Sequence, residues 1–266
     1  MRQIHEAGRA PRFILSLFGL LVCVCLSFPV QASAGQIKIA AASDLTFAFK
    51  RVVARFETQT GNTVLLAYGS SGNFYSQIQN GAPFDLFFSA DISYPRKLEA
   101  AGLTEPGTMY EYAKGQIVIW VPSSSKLDLR KGLAVLLNPS IQKIAIANPL
   151  HAPYGAAAVA ALKHAGIYDR VKAKFVMGEN ISQTAQFVQS GNAGVGIVAL
   201  SLALSPPMKR AGRYVIIPQE DYPPIIQAAV IIKSSHEKAL AKQFLSFLKE
   251  PGTVAVMKQY GFVVPD

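Results

Sequence analysis

The chain has 266 residues, and 26 Lys and Arg against 16 Asp and Glu give a formal net charge of +10 at pH 7. Both of its cysteines lie within the first 34 residues, so the rest of the chain cannot form disulfides, thiol nucleophiles or cysteine metal sites. A positive surface favours encounters with anions. However, no Lys/Arg block carries interleaved aromatic residues, which argues against nucleic acid as a partner.

The amino terminus has the features of a secretory signal peptide. Three arginines precede an apolar run over residues 13–28, and the small residues Ala32-Ser33-Ala34 follow it. The run is about 16 residues long, short of the roughly 20 that a membrane-spanning helix needs. We therefore expect residues 1–34 to be removed by cleavage after Ala34 and the remaining chain, with a net charge near +8, to reach the periplasm.

From residue 35 onward, apolar segments of strand length alternate with helical patterns. Leu45, Phe49, Val52 and Phe56, for example, recur on one face of a helix. Such alternation predicts an α/β fold with mostly parallel sheets covered on both faces. The predicted strands are 37–42, 63–68, 85–88, 116–121, 144–147, 173–176, 195–198 and 225–232.

Two long apolar strands, 116–121 and 225–232, bracket the middle α/β block. This arrangement predicts that the chain crosses twice between two lobes. The first lobe is expected to combine residues 35–115 with 228–266, and the second to hold residues 116–227. The two crossing strands would then act as a hinge.

Small polar residues or glycine follow several predicted strands at the point where a helix begins. The four junctions are Ser43, Ser70-Ser71-Gly72, Pro153-Tyr154-Gly155 and Asn180-Ile181-Ser182. A helix amino terminus offers free N–H groups and about half a positive charge, so it binds anions without a lysine or arginine. Each junction alone is also typical of an ordinary helix cap. Four of them, divided between two lobes, favour a binding site.

Seven segments of the chain resemble the periplasmic molybdate-binding proteins of ABC importers. They are AAASDL at 40–45, GSSGNF at 69–74, GAPFDLFFSAD at 81–91, ANPLHAPYG at 147–155, GENIS at 178–182, GVGIVALS at 194–201 and KQYGF at 258–262. The resemblance extends from about Ile37 to the carboxyl terminus. It implies a two-lobed type II periplasmic binding-protein fold, a monomer, no cofactor, and capture of molybdate or tungstate for a membrane permease.

The resemblance also implies which residues hold the oxyanion. Ser43 and Ser71 match donors that act through hydroxyl and backbone N–H, and Tyr154 and Ile181 match backbone N–H donors. A tyrosine hydroxyl that usually serves as the fifth donor would fall at Ala199, which has no donor. We expect the phenol of Tyr154 to replace it.

Three of the aspartates, and the three histidines after residue 34, have other expected roles. Asp44 would repel a dianion, so we expect its carboxylate to face away from the ligand, toward helix N–H groups; Asp85 and Asp91 are expected to order loops. The histidines have no metal-ligand spacing, and His164 and His236 are predicted at the surface.

Alternatives remain within and outside the binding proteins. His151 lies in a loop where a serine–histidine hydrolase is conceivable, but no G-x-S-x-G segment accompanies it. The sequence therefore predicts a binding protein and not an enzyme. Another oxyanion such as sulfate stays an alternative ligand, whereas phosphate, which carries a proton, favours a site with a carboxylate acceptor.

Overall fold

Two five-stranded mixed sheets organise residues 34–265, the part of the chain that the computed structural model describes. The predicted signal peptide, apart from Ala34, and both cysteines lie outside these residues. The first sheet has the strand order β2-β1-β3-β10-β4, and the second has the order β7-β6-β8-β5-β9. In each sheet the first three strands are parallel, the fourth runs antiparallel to both of its neighbours, and the fifth has the direction of the first three. The strands are β1 Gln36–Ala42, β2 Thr63–Gly69, β3 Leu86–Ser89, β4 Tyr110–Gly115, β5 Ile117–Pro122, β6 Ile144–Ala147, β7 Phe175–Gly178, β8 Val195–Ala199, β9 Gly212–Ile216 and β10 Ile225–Ile231.

Helices cover the faces of both sheets and follow the parallel strands. They are α1 Thr46–Thr60, α2 Ser71–Gln79, α3 Ser93–Ala100, α4 Pro153–His164, α5 Tyr168–Val171, α6 Ile181–Gln189, α7 Leu200–Ala203, α8 Pro206–Ala211, α9 Lys238–Phe247 and α10 Pro251–Gln259. Short 3-10 helices occupy Ser43–Leu45, Leu129–Leu137, Lys172–Lys174 and Gln219–Asp221. Among residues 34–265, no helix is both long and apolar enough to cross a bilayer.

We call residues 34–115 with 225–265 the first lobe and residues 117–216 the second lobe, after the sheet to which their strands belong. The first lobe is packed around Phe49, Phe56, Phe88 and Phe244, whose rings meet edge to face at 4.9–6.1 Å between centroids. The core of the second lobe includes the fully buried Trp120. Each lobe thus has its own apolar core, which holds the strand ends between them in place.

The chain passes directly from β4 to β5 through Gln116, and returns between β9 and β10. The predicted boundary on the return is wrong by three residues. Ile225, Ile226 and Gln227 were assigned to the second lobe, but they pair with β4 in the first sheet. These three residues belong to the same apolar run as the rest of β10. The strand therefore begins where that run begins. That the two lobes move about these crossings stays a prediction.

Other differences from the predicted elements have simple causes. The segment predicted as a strand at 173–176 begins as a 3-10 turn, and the strand itself is Phe175–Gly178. Strands β4 and β9 were not predicted. Both lie at the edge of a sheet, and they carry charged residues such as Glu111, Lys114 and Arg213. Edge strands of this kind lack the apolar run on which the prediction relied.

Candidate anion-binding site

The four strand–helix junctions of the two lobes meet at one small cavity. Its volume is about 10 Å³, room for about one water molecule. It is lined by Ala42, Ser43, Asp44, Gly69, Ser70, Ser71, Ala90, Ala152, Pro153, Tyr154 and Ile181. The amino termini of α2, α4 and α6 therefore converge from both lobes, and no lysine, arginine or histidine of the described part of the chain lines the space.

Ser43 belongs to the first lobe but bonds to the amino terminus of α6 in the second. Its Oγ donates to Oδ1 of Asn180 at 3.2 Å and accepts from the N–H of Ser182 at 3.2 Å. The hydroxyl of Ser182 donates in turn to the Ser43 carbonyl at 2.8 Å. Asn180 is the N-cap of α6, and Ile181 is the first residue of that helix. Ser43 and Ile181, both predicted site residues, are thus brought to the same cavity.

Ser71 is the first residue of α2 and is fully buried. Its Oγ accepts a hydrogen bond from the N–H of Ala90 at 2.9 Å, which leaves the hydroxyl proton available as a donor. The preceding residue, Ser70, caps α2 and contacts Nδ1 of His151 in the second lobe at 2.9 Å. Ser71 therefore has the geometry of a donor, whereas Ser70 links the two lobes.

The phenol of Tyr154 does not have the role that the sequence predicts for it. Its backbone is the second residue of α4, at the cavity, but its hydroxyl donates to Oδ2 of Asp44 at 2.8 Å. Gln227 of β10 donates from Nε2 to the same carboxylate oxygen at 2.7 Å. A phenol has one proton to donate, and here it is committed to Asp44. The structure thus contradicts the expectation that this hydroxyl replaces the donor missing at Ala199.

Ala199 is the last residue of β8, is fully buried, and pairs with Ile117 of β5. It does not line the cavity. Two residues later, the hydroxyl of Ser201 donates to the carbonyl of Asp44 at 2.8 Å. The end of β8 therefore supports the 3-10 turn that carries Ser43 and Asp44.

Asp44 was expected to face helix N–H groups, but its principal partners are side chains. Burial raises the pKa of its carboxyl from the ordinary 3.8 to about 6, and hydrogen bonds from Gln227 and Tyr154 only partly oppose that rise. The N–H groups of Asp44 and Leu45 also favour the charged form. Even so, Oδ1 is buried and makes no hydrogen bond with any residue from 34 to 265.

The buried cluster around Asp44 contains residues that sequence reasoning missed. Gln227 accepts at Oε1 from the hydroxyl of Tyr112 at 2.7 Å, and the carbonyl of Ser89 lies 3.3 Å from the same phenol oxygen. One signal in the sequence was available. Gln227 is the single polar side chain in the apolar run of β10, and a polar residue in a buried strand needs a buried partner.

The remaining sequence expectations concern loops and histidines. Asp85 accepts from the N–H of Lys38 and the hydroxyl of Ser235, and Asp91 accepts from the N–H of Ser93, so both order loops as expected. His164 and His236 are exposed, also as expected. In the described part of the chain there is no cluster of three potential metal-ligating residues.

Replacing Tyr154 by Phe tests the hydrogen bond between its hydroxyl and Asp44 in the buried cluster. The variant would deprive the buried Asp44 carboxyl of one of its two side-chain donors, so we expect the free energy of unfolding to fall by about 1–3 kcal/mol. Urea denaturation at pH 7.5 measures this. The matched control is Tyr214→Phe, because Tyr214 is partly exposed on β9 and should change stability by less than about 0.5 kcal/mol. Equal stabilities of the two variants would contradict the assigned contact.

The chain is similar to known proteins along most of its length. Residues 37–263 match the family described as bacterial extracellular solute-binding protein. The chain is 39% identical over 263 residues to the molybdate-binding protein ModA of Rhodobacter capsulatus, a match that covers 99% of both chains. It is also 28% identical to the protein of the same name from Escherichia coli, covering 92% of this chain and 97% of that one.

Among solved structures, the periplasmic molybdate-binding protein of Azotobacter vinelandii superimposes with a TM-score of 0.82 at 38% identity. That match covers 86% of this chain and all of the other. The sulfate-binding protein SubI of Mycobacterium tuberculosis gives a TM-score of 0.70 at 18% identity over 87% of this chain and 88% of that one, a similarity of fold alone. The two-lobed α/β fold predicted from the sequence is confirmed.

Proposed function

Because the chain belongs to the bacterial extracellular solute-binding proteins, which are not enzymes, we propose that it binds molybdate outside the cytoplasm for delivery to the membrane permease of an ABC importer. Tungstate, a tetrahedral dianion of the same type, is the second proposed ligand. The proposal includes a monomeric protein in the periplasm and no resident cofactor. Full-length similarity to proteins named for molybdate binding supports the choice of ligand.

One observation of the site supports the proposal most strongly. Three helix amino termini from two lobes, with the hydroxyls of Ser43 and Ser71, surround one cavity that lacks basic side chains. Apart from the carboxyl group of Asp44, this lining offers N–H and O–H donors, which suit an oxyanion without protons. The proposed donors are the hydroxyl and N–H groups of Ser43 and Ser71 and the N–H groups of Tyr154 and Ile181.

Donors of this kind can hold a dianion tightly when water is excluded. A hydrogen bond to a charged group contributes about 1.5–3 kcal/mol, so four to six of them contribute roughly 6–18 kcal/mol. Submicromolar affinity requires more than about 8 kcal/mol after an association cost of at least about 4 kcal/mol is deducted, which the upper half of that range provides. The net positive charge of the protein acts at longer range and raises the encounter rate with anions.

Ligand entry requires the lobes to separate. A tetrahedral oxyanion needs more room than a cavity of about 10 Å³ offers, and Ser43, His151 and Gly72 all bond across the cleft. We propose that the lobes open about the β4–β5 and β9–β10 crossings, bind the anion, and close on it. On closure the Ser43 hydroxyl would exchange its contact with Asn180 for one with the ligand. The permease would recognise the closed form.

Calorimetric titration of the purified protein with molybdate, tungstate, sulfate and phosphate tests the function. We expect submicromolar dissociation constants for molybdate and tungstate, binding of sulfate at least 100-fold weaker, and no measurable heat with phosphate. Tighter binding of sulfate than of molybdate would favour the alternative ligand. Absence of heat with all four anions would overturn the proposed function. Turnover of generic ester substrates would indicate a serine hydrolase instead.

A further inference from the structure

A buried carboxyl group stands in the wall of the proposed anion site. Asp44 is 1% exposed and lines the cavity together with Ser43 and Ser71. Its Oδ2 receives hydrogen bonds from both sides of the cleft, from Tyr154 of the second lobe and from Gln227 of the first. Its Oδ1 is buried and unpartnered within residues 34–265. The proposed mode of anion binding does not use this carboxyl group.

Among residues 34–265, no basic group neutralises Asp44. The titratable side chains that face it are Tyr154 on α4 and Tyr112 on β4, and burial raises the pKa of both phenols well above 10, so they stay neutral. Helices α6 and α7, which pack on the 3-10 turn, carry no charged residue. The nearest charged residues on α1, Lys50 and Arg51, are exposed. A dianion in the cavity would therefore meet an uncompensated carboxylate.

We propose that Asp44 takes up one proton from solvent when the oxyanion binds, so that anion and proton are bound together. Like charges in a buried, low-dielectric site repel strongly, and protonation of the carboxyl removes that repulsion. The added proton would reside on Oδ1, the oxygen without a partner, while Oδ2 keeps its bonds to Tyr154 and Gln227. This inference rests on the proposed binding of an oxyanion.

The proton is available near neutral pH because burial has already raised the pKa of Asp44 to about 6. A bound dianion would raise that pKa further. At a pH between these two pKa values, Asp44 is ionised in the free protein and protonated in the protein that holds the anion. Binding therefore consumes a proton. Anion affinity should therefore fall as pH rises above about 6, by up to tenfold per pH unit.

Proton uptake can be measured without any variant. Molybdate is titrated calorimetrically into the wild-type protein at pH 7.5 in PIPES, HEPES and Tris, whose ionisation enthalpies differ. We expect the observed enthalpy to depend linearly on buffer ionisation enthalpy, with a slope of 0.3–1 proton taken up per molybdate. The same titrations at pH 6.0–8.5 should show a rise of the dissociation constant with pH.

Two variants test whether Asp44 is the group that takes up the proton. Asp44→Asn cannot take up the proton, so its slope should be near zero and its affinity for molybdate at pH 8.5 should exceed that of the wild type. His151→Gln, which removes the histidine that contacts Ser70, should keep the uptake seen in the wild type. Uptake that disappears in His151→Gln but persists in Asp44→Asn would overturn the assignment to Asp44. Wild-type binding without buffer dependence would overturn proton coupling and leave the proposed function intact, whereas no binding at any pH would overturn the function itself.

Discussion

Replacing Gly72 by Val is expected to weaken molybdate binding about 100-fold to 10,000-fold while leaving both lobes folded. Gly72 lies in the first turn of α2, and its N–H donates across the cleft to the carbonyl of His151 at 2.9 Å. A Cβ at this position would lie 2.8 Å from the Cα of His151 and 2.8 Å from the hydroxyl of Tyr94. The side chain would hold the lobes apart, and the N–H donors of Tyr154 and Ile181 would no longer reach an anion bound at Ser71. Loss of two charge-assisted hydrogen bonds, about 1.5–3 kcal/mol each, accounts for the size of the effect.

The measurement combines calorimetry with small-angle scattering. Wild-type protein should shrink in radius of gyration when molybdate is added, and Gly72→Val should not. The control is Gly194→Val, because a Cβ at Gly194 meets no atom within 4 Å and the residue lies away from the cleft. Binding by Gly72→Val within threefold of the wild type would show that closure at this contact is not required.

The double replacement of Ser43 and Ser71 by Ala is expected to raise the molybdate dissociation constant by about 100-fold to 10,000-fold. Each variant residue loses a hydroxyl donor but keeps its backbone N–H, so the effect isolates the two side chains. A donor to a charged acceptor contributes about 1.5–3 kcal/mol, and the two hydroxyls lie in the first lobe on different strand–helix junctions. Both hydroxyls are proposed to bind the same anion, so their effects are expected to be coupled, and the two single variants measure that coupling.

Because both serines also bond within the protein, stability must be followed alongside affinity. The Ser71 hydroxyl accepts from Ala90, and that of Ser43 bonds to Asn180 and Ser182, so thermal unfolding is recorded for every variant. Ser205→Ala is the matched control. Ser205 is fully buried, its hydroxyl has no hydrogen-bond partner among residues 34–265, and it lies outside the cavity. A double variant that binds as tightly as Ser205→Ala would exclude the serine hydroxyls as donors.

The sequence predicted elements and junctions correctly where the local residue pattern matches the burial in the structure. The strand Ile144–Ala147 was predicted to the residue because both faces are buried and the segment is apolar throughout. The four junctions were located because a serine, glycine or asparagine after an apolar run is a local signal of a helix start. Within each lobe the two junctions lie together because the carboxyl ends of neighbouring parallel strands lie at the same edge of a sheet. That the two pairs meet at one cavity is seen only in the structure.

What the sequence did not reveal depends on contacts between distant segments. The Tyr154 phenol was expected to point at the ligand, but its partners, Asp44 and Gln227, lie 110 and 73 residues away in the chain. No local pattern indicates which buried acceptor a phenol will choose. The edge strands β4 and β9 were missed for a similar reason, because pairing with a neighbour, and not their own composition, makes them strands.

The two lobes differ in how their sheets are distributed along the chain, and this has a consequence for the order in which the protein folds. All five strands of the second sheet lie between residues 117 and 216, whereas the first sheet places β10 between β3 and β4, more than 100 residues away in sequence. The second lobe can complete its sheet from contacts within one continuous segment. The first lobe can complete its sheet only when residues 225–231 are present. Closing so long a loop slows folding. A chain that emerges amino terminus first would therefore assemble the half containing Ile181 and Tyr154 before the half containing Ser43 and Ser71 is finished.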